Sequence, residues 1–160
     1  MQIVTPQTPA QFEACYDLRW RILRAPWQQP HGSERDALES EATHRMIVND
    51  AGQVIAVGRL HRLDNNNGQL RYMAVDPDYR GQGLGEQILL ALENAAMEQG
   101  LRRLLLHARE PVVGFYQQHG YQLLGRSHTL FGEIVHYEMS KTLGPSYKDS
   151  PPRHEDTKSS

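Results

Sequence analysis

The apolar positions of this chain alternate between two rhythms, and the switches between them outline the fold. Residues 2–5 read as a short strand that Pro6 and Pro9 end. From Thr8 the spacing becomes helical, with Phe12, Cys15 or Tyr16, Leu18 or Arg19, and Ile22 with Leu23 recurring on one face. Thr8 suits the cap of that helix and Pro9 its first position. Pro26 and Pro30 break the pattern, and the acidic run "GSERDALESEA" at 32–42 reads as a short second helix or an ordered loop.

Strand rhythm returns in "THRMIVND" and "QVIAVGRLHRL", a hairpin turning at Asn49–Gly52. A second turn, "DNNNG", leads into the strand "QLRYMAV", which Asp76-Pro77 closes. A helix follows from about Glu86 to Gln99, with Leu84, Ile88, Leu92, Ala95 and Ala96 on one face and Gly100 as its stop. "LRRLLLHA" reads as an inner strand, "PVVGFYQQHG" as a short helix, and 121–143 as the last strands. The elements predict a mixed sheet. Residues 144–160 are polar, proline-bearing and expected to be a disordered tail after a single domain over 1–143.

Composition narrows the function classes. The chain has 160 residues, enough to bury a core, and a formal net charge of -2. That charge offers no broad positive field for a nucleic-acid backbone, so no nucleic-acid partner is expected. One cysteine excludes an internal disulfide framework and fits a reducing compartment. No apolar run approaches the ~20 residues that span a bilayer, and the N-terminus has no signal-peptide pattern. The expectation is a cytoplasmic protein without a membrane partner. The eight histidines show no pair with metal-binding helical spacing, so no metal is expected. Oligomeric state stays open, a homodimer included.

The stretch "YRGQGLGEQILLALENAA" (79–96) carries the chemistry. A strand enters a glycine-dense turn and a helix leaves it, an arrangement that presents free backbone N–H groups and a positive dipole end to an anion. The third glycine of a dinucleotide fingerprint would fall at Glu86, and no P-loop Gly-Lys-Ser/Thr follows. What remains is R-x-x-G-x-G at Arg80, Gly83 and Gly85, preceded by Val75-x-Pro77 and followed later by Phe115-Tyr116 and Gly120-Tyr121.

These motifs, in this order, resemble the Gcn5-related N-acetyltransferase (GNAT) superfamily over about residues 2–143. The resemblance implies an α/β (α+β) fold, with a mixed, mostly antiparallel twisted sheet of about 6–7 strands and about four helices. It implies acetyl-CoA as co-substrate, its pyrophosphate on Arg80, Gly81, Gln82, Gly83, Leu84, Gly85 and Glu86. By position, Met73 and Ala74 contact the pantetheine arm, and the Val75 backbone N–H faces the thioester carbonyl oxygen. Tyr116 matches the acid that protonates the leaving thiolate. Arg109 stands where relatives carry an amide that touches the cofactor, and its contact stays open. Gln69 stands where many relatives carry the Glu that deprotonates the amine. Glu39, Glu41, His44, His61 and His107 are the other base candidates, beside a water relay. The segment 20–36 corresponds to one wall of the acceptor groove in the family; Trp27, Arg24 and the acidic 34–41 stretch either select the acceptor, acidic groups suiting a cationic amine, or form a packed helix end and a solvated charge run. Cys15 reads as core, so direct attack by a primary amine is expected rather than an acyl-enzyme. A CoA-binding sensor without activity, or a protein lysine acetyltransferase, are the alternatives.

Overall fold

Thr8 opens the first helix as the sequence predicts. Its hydroxyl accepts from the Gln11 N–H at 3.2 Å, and the Gln11 side chain accepts from the Thr8 N–H at 3.1 Å. This reciprocal box, with Pro9 at the first position, satisfies donors that a helix start leaves open. The structure is a computed structural model and describes residues 1–144, so all but Gly144 of the expected tail lies outside the described residues. In chain order the elements are β1 (Gln2–Val4), α1 (Pro9–Leu23), β2 (Thr43–Val48), β3 (Val54–Arg62), β4 (Asn67–Val75), α2 (Leu84–Glu98), β5 (Arg103–Arg109), α3 (Val113–Gln118), β6 (Gln122–Leu130) and β7 (Ile134–Thr142).

Hydrogen bonding orders the strands β1-β2-β3-β4-β5-β7-β6. β4 and β5 pair in parallel, whereas β1–β2, β2–β3, β5–β7 and β6–β7 pair antiparallel. The mixed, mostly antiparallel sheet of seven strands is the expected class. Of the two readings of 32–42, the ordered loop holds, its carboxylates being drawn into ion pairs with other elements. Two expectations need correction. Three α-helices, not about four, occur among the described residues. The second long helix begins at Leu84, two residues before the expected start, since Gly83 already accepts from the Gln87 N–H.

The chain divides into two units. The first contains residues 1–61 and 70–94. Its apolar core includes Cys15 and Leu18 of α1, Met46 of β2, Val57 of β3 and Ala74 of β4. On the other side of β3, α2 approaches so closely that a Cβ at Gly58 would lie 2.5 Å from Ile88, 2.6 Å from Met73 and 2.9 Å from Leu92.

Beside this core sits a buried charged network. Arg59 of β3 is fully buried and grips Asp36 with both terminal nitrogens, at 2.7 and 2.9 Å. Glu39 Oε2 accepts from Arg59 at 2.9 Å and from the buried Arg19 of α1 at 3.0 Å. A buried guanidinium that lost its partners would be strongly destabilising. These pairs therefore fasten the irregular 33–42 segment to β3 and α1. Arg59 and Arg71 hold the Asp36 carboxyl down at about 2, the Arg59 hydrogen bonds being the largest cause.

The second unit contains residues 62–69 and, among those described, 95–144. Leu104, Leu106 and Ala108 point from one face of β5 into its core, with His107 and Arg109 on the other face. Gly100, at φ +80°, ends α2 as expected. Its N–H donates to the Met97 carbonyl, and the Leu101 N–H to that of Ala96, which caps the helix end.

Gly58→Ala should destabilise the protein by about 1–3 kcal/mol, because three packed side chains must shift. Urea unfolding measures this, and an unchanged midpoint would contradict the close approach. Asp36 adds a pH signature. Its folded pKa lies below the ordinary 3.8, so its stabilisation is full above that value and is lost as pH falls from about 4 to about 2. The loss should reach about 2 kcal/mol. Unfolding across that range should show the gap between wild type and Asp36→Asn closing, and a gap that stays constant would refute the assignment.

Candidate active site

The strand before the glycine loop does not run straight. Tyr72, a buried aromatic in the middle of β4, has φ +58°, a conformation that bulky residues rarely adopt. The register shows why. The Leu63 N–H donates to the Asn67 carbonyl, and the Asp76 N–H to that of Ile55, one residue out of step. β4 thus carries one extra residue, a bulge at Tyr72. Such a backbone costs ~1–3 kcal/mol and persists only where its surroundings fix it. Here the Tyr72 ring lies 4.5 Å from the Arg19 guanidinium, 4.6 Å from that of Arg71, 4.9 Å from that of Arg59 and 5.8 Å from that of Arg24. Cations over an aromatic face attract it, more strongly when desolvated.

Downstream of the bulge, Met73 packs in the layer of Gly58, Ile88 and Leu92, and the Ala74 side chain is buried in the α1-side core. Val75 ends the strand. Neighbouring N–H groups along a strand point to opposite sides. The Asp76 N–H is given to β3, so that of Val75 points away from β3. Asp76 then caps a 3-10 turn at Pro77–Tyr79, accepting from the Asp78 N–H at 2.9 Å. The Tyr79 hydroxyl accepts from the Asn49 side chain at 2.9 Å, which ties this lead-in to the β2–β3 turn.

The glycine loop is exposed from Arg80 to Gly83. Gly81 and Gly83 have φ +80° and +78°, and a Cβ at either would meet nothing within 4 Å. These glycines are therefore needed for backbone direction, and space stands open above them. Leu84 is buried and begins α2, so the N–H groups of the first turn, those of Gly85 and Glu86 included, lack acceptors within the helix. The Arg80 side chain is exposed and has no partner among the described residues. Gln82 is exposed beside it. Glu86 occupies the first turn, where a carboxylate complements the helix dipole.

In the second unit, Tyr116 on α3 is 7% exposed, its ring edge-on to Phe115 and Tyr121. Its hydroxyl has no partner among the described residues and is not sealed from solvent. Burial pushes this phenol up to about 12, with Arg109 pulling the other way. The group is a proton donor throughout the neutral range and never a base there. Arg109 ends β5, one residue before a 3-10 turn at Glu110–Val112.

The base candidates separate by their hydrogen bonds. A guanidinium only donates. The Arg19 Nη2 contact at 3.3 Å therefore makes His44 Nδ1 an acceptor, and His44 Nε2 donates to the Glu39 carbonyl at 2.9 Å. His61 Nδ1 likewise accepts from Arg59 at 3.1 Å. Burial pushes both imidazoles down, and the neighbouring arginines reinforce this. Both are neutral with their lone pairs occupied, and Glu39 Oε2 takes two guanidinium bonds and the Asp36 N–H. Glu41 is exposed. His107 belongs to a row of imidazoles across the second unit, 5.3 Å from His128, which stacks on His136 at 4.4 Å. The turn at Gly132 brings His128 and His136 opposite each other. No group of three or more residues that could hold a metal occurs among the described residues. Cys15 is buried, its thiol pushed up to about 11 by burial and therefore un-ionised. Trp27 is half-buried in a 3-10 turn, and Trp20 stacks on His31 at 3.6 Å.

The bulge and its arginines were not foreseen from sequence. A faint signal existed: Arg19 shares the buried face of α1 with Cys15 and Leu18, and Arg59 and His61 follow Val57 at strand spacing.

Comparison with known proteins identifies the family. Residues 12–121 match the model of the acetyltransferase (GNAT) family. The chain is similar to the uncharacterized N-acetyltransferase YjcF of Bacillus subtilis, at 30% identity over 88% of this chain and 99% of that one. Its fold is similar to an acyl-CoA N-acyltransferase from Pseudomonas aeruginosa, with a TM-score of 0.77 and 22% identity over 88% of this chain and 99% of that one. It is also similar to an aminoglycoside 6'-N-acetyltransferase solved with coenzyme A, with a TM-score of 0.76 and 16% identity over 97% and 100% of the two chains. The chain therefore belongs to the acetyltransferase (GNAT) family and is an acyl-CoA-dependent N-acetyltransferase.

Proposed function

We propose that a single acetyltransferase domain over 1–143 moves the acetyl group of acetyl-CoA directly to a primary amine. The observation that carries this reading is the 80–86 loop. It combines two left-handed glycines, open space above them, an exposed Arg80 with no partner among the described residues and the start of a long helix. A pyrophosphate fits that arrangement by charge and by N–H supply.

The balance of the reaction follows from the groups available. The neutral amine attacks the thioester carbon, the C–N bond forms and negative charge gathers on the carbonyl oxygen. The Val75 N–H, aimed away from β3, is the donor assigned to that oxygen. The C–S bond then breaks, and Tyr116 gives its phenolic proton to the departing thiolate. The amine loses its proton to a water relay, because Gln69 cannot take one, His44 and His61 are occupied, and Glu39 is paired at Oε2 with its other oxygen sealed from solvent. The un-ionised Cys15 gives no reason for an acyl-enzyme.

Three outcomes test this. Acetyl-CoA should raise the melting temperature, and Arg80→Ala should weaken that shift; no shift with the wild type would refute the donor site. Tyr116→Phe should slow release of free thiol from acetyl-CoA by about a hundredfold while the cofactor-induced shift stays close to wild type. Loss of cofactor binding alone would show that Tyr116 is not the acid. With water carrying the proton, log kcat/KM for the amine should rise with unit slope up to the amine's own pKa. A plateau near pH 6–7 would instead reveal a side-chain base such as His107. Cofactor binding with no thiol release in any amine would identify a sensor module.

A further inference from the structure

The 34–41 stretch is acidic in sequence, yet three of its carboxylates are paired with guanidiniums. Glu34 is buried with Arg35 Nε at 3.4 Å. Asp36 accepts from Arg59 and from Arg71, the latter at 3.0 Å. Glu39 accepts from Arg19 and Arg59. Arg24 is buried nearby and is held by the Ser33 and Leu23 carbonyls at 3.0 and 2.9 Å. Arg19, Arg35, Arg59 and Arg71 thus pair with these three carboxylates, and Arg35 also reaches Glu13 at 3.8 Å. This wall cannot present free carboxylates at those three positions to a cationic amine.

Two donors of the same network remain unused and reach solvent. Arg71 is 45% exposed and commits only one nitrogen, Nη1, to Asp36. His61 accepts at Nδ1, so its proton sits on Nε2. That nitrogen has no partner among the described residues and is not sealed. The two side chains are joined through Arg59 and Asp36. Arg59 Nη2 donates to both His61 Nδ1 and Asp36 Oδ2, and Arg71 Nη1 donates to that same Oδ2. Asp36 is the carboxylate that Arg71 pairs with, and Arg59 shares it. A planar guanidinium with spare N–H groups suits a further carboxylate, and an imidazole N–H on the same network can add to it.

We propose that Arg71 and the His61 Nε2–H form an anion subsite that binds a carboxylate of the acceptor. The acceptor is then an amine carrying its own carboxylate, an amino acid or a close analogue, and not a polyamine. This rests on the acetyl-transfer reading for its role in catalysis, but the binding itself does not require turnover.

The experiment uses the full chain and melting-temperature shifts, with and without coenzyme A. The probes are the twenty amino acids singly, their methyl esters, putrescine, spermidine and phosphoethanolamine. At least one free amino acid should raise the melting temperature, its methyl ester should not, and Arg71→Gln should abolish that shift while keeping the shift from coenzyme A. In turnover with that amino acid, Arg71→Gln should raise the acceptor KM by about ten- to a hundredfold with kcat little changed, and Arg71→Lys should recover part of the loss. Shifts from spermidine or putrescine with none from any amino acid would overturn the subsite. So would an ester that binds as well as its acid, an acceptor KM indifferent to Arg71→Gln, or a stronger shift from phosphoethanolamine than from every amino acid. If coenzyme A shifts the protein and no amino acid does, the subsite fails and the transferase reading stands. An amino-acid shift lost in Arg71→Gln, with none from coenzyme A, supports the subsite and refutes the donor site.

Discussion

A fully buried arginine has to be paired, and much of the first unit is arranged around pairing Arg59. Its guanidinium sits on β3 where an apolar residue would ordinarily pack. Asp36 and Glu39 satisfy it, and both come from a segment with no helix or strand of its own. Glu39 extends the tie to Arg19 on α1. One ionic cluster thereby fixes a loop, a helix and a strand against each other. The same guanidiniums lie against the Tyr72 ring and hold a backbone that an isolated tyrosine would not adopt. The bulge that results decides which N–H groups of β4 are given to β3, and so which way that of Val75 points.

On the donor side the physics is simpler. Gly81 and Gly83 turn the chain with positive φ and leave no side chain above the loop, and α2 begins at once. The loop's lead-in is held from below, by Asp76 as a cap and by Tyr79 on Asn49. A flexible composition is thus mounted on a fixed base. Preorganised donors of this kind bind an anion without first reordering themselves. The unusual phenol of Tyr116 is likewise a consequence of packing: its ring is enclosed by Phe115 and Tyr121, which keeps the proton on the oxygen.

Local rules were legible in the sequence where they dominate. Thr8 with Pro9, the Asn49–Gly52 turn, Gly100 as a stop and the place of the glycine turn before a helix were all legible, because each depends on a few neighbouring residues. The order of motifs was enough to identify the family. What local reading missed depends on contacts between distant residues. The 32–42 run read equally as a helix or an ordered loop, and what decided for the loop, its pairing with Arg19, Arg59 and Arg71, lies outside the run. The same contacts turned an apparently acidic, solvated stretch into a neutralised wall. The Tyr72 bulge left no mark in the alternation of "QLRYMAV", since a single left-handed residue shifts the register without changing composition. The stacking of His128 on His136 needed the turn at Gly132 to place them opposite each other.

We propose that the glycine loop holds the pyrophosphate while the Val75 N–H of the bulged strand receives the thioester oxygen. A crystal structure with acetyl-CoA tests it most directly. The account predicts pyrophosphate oxygens within hydrogen-bond distance, about 2.7–3.2 Å, of backbone N–H groups in the 81–86 loop, and the thioester carbonyl at a similar distance from the Val75 N–H. A pyrophosphate bound away from that loop, or a carbonyl oxygen served by another group with Val75 turned aside, would contradict it.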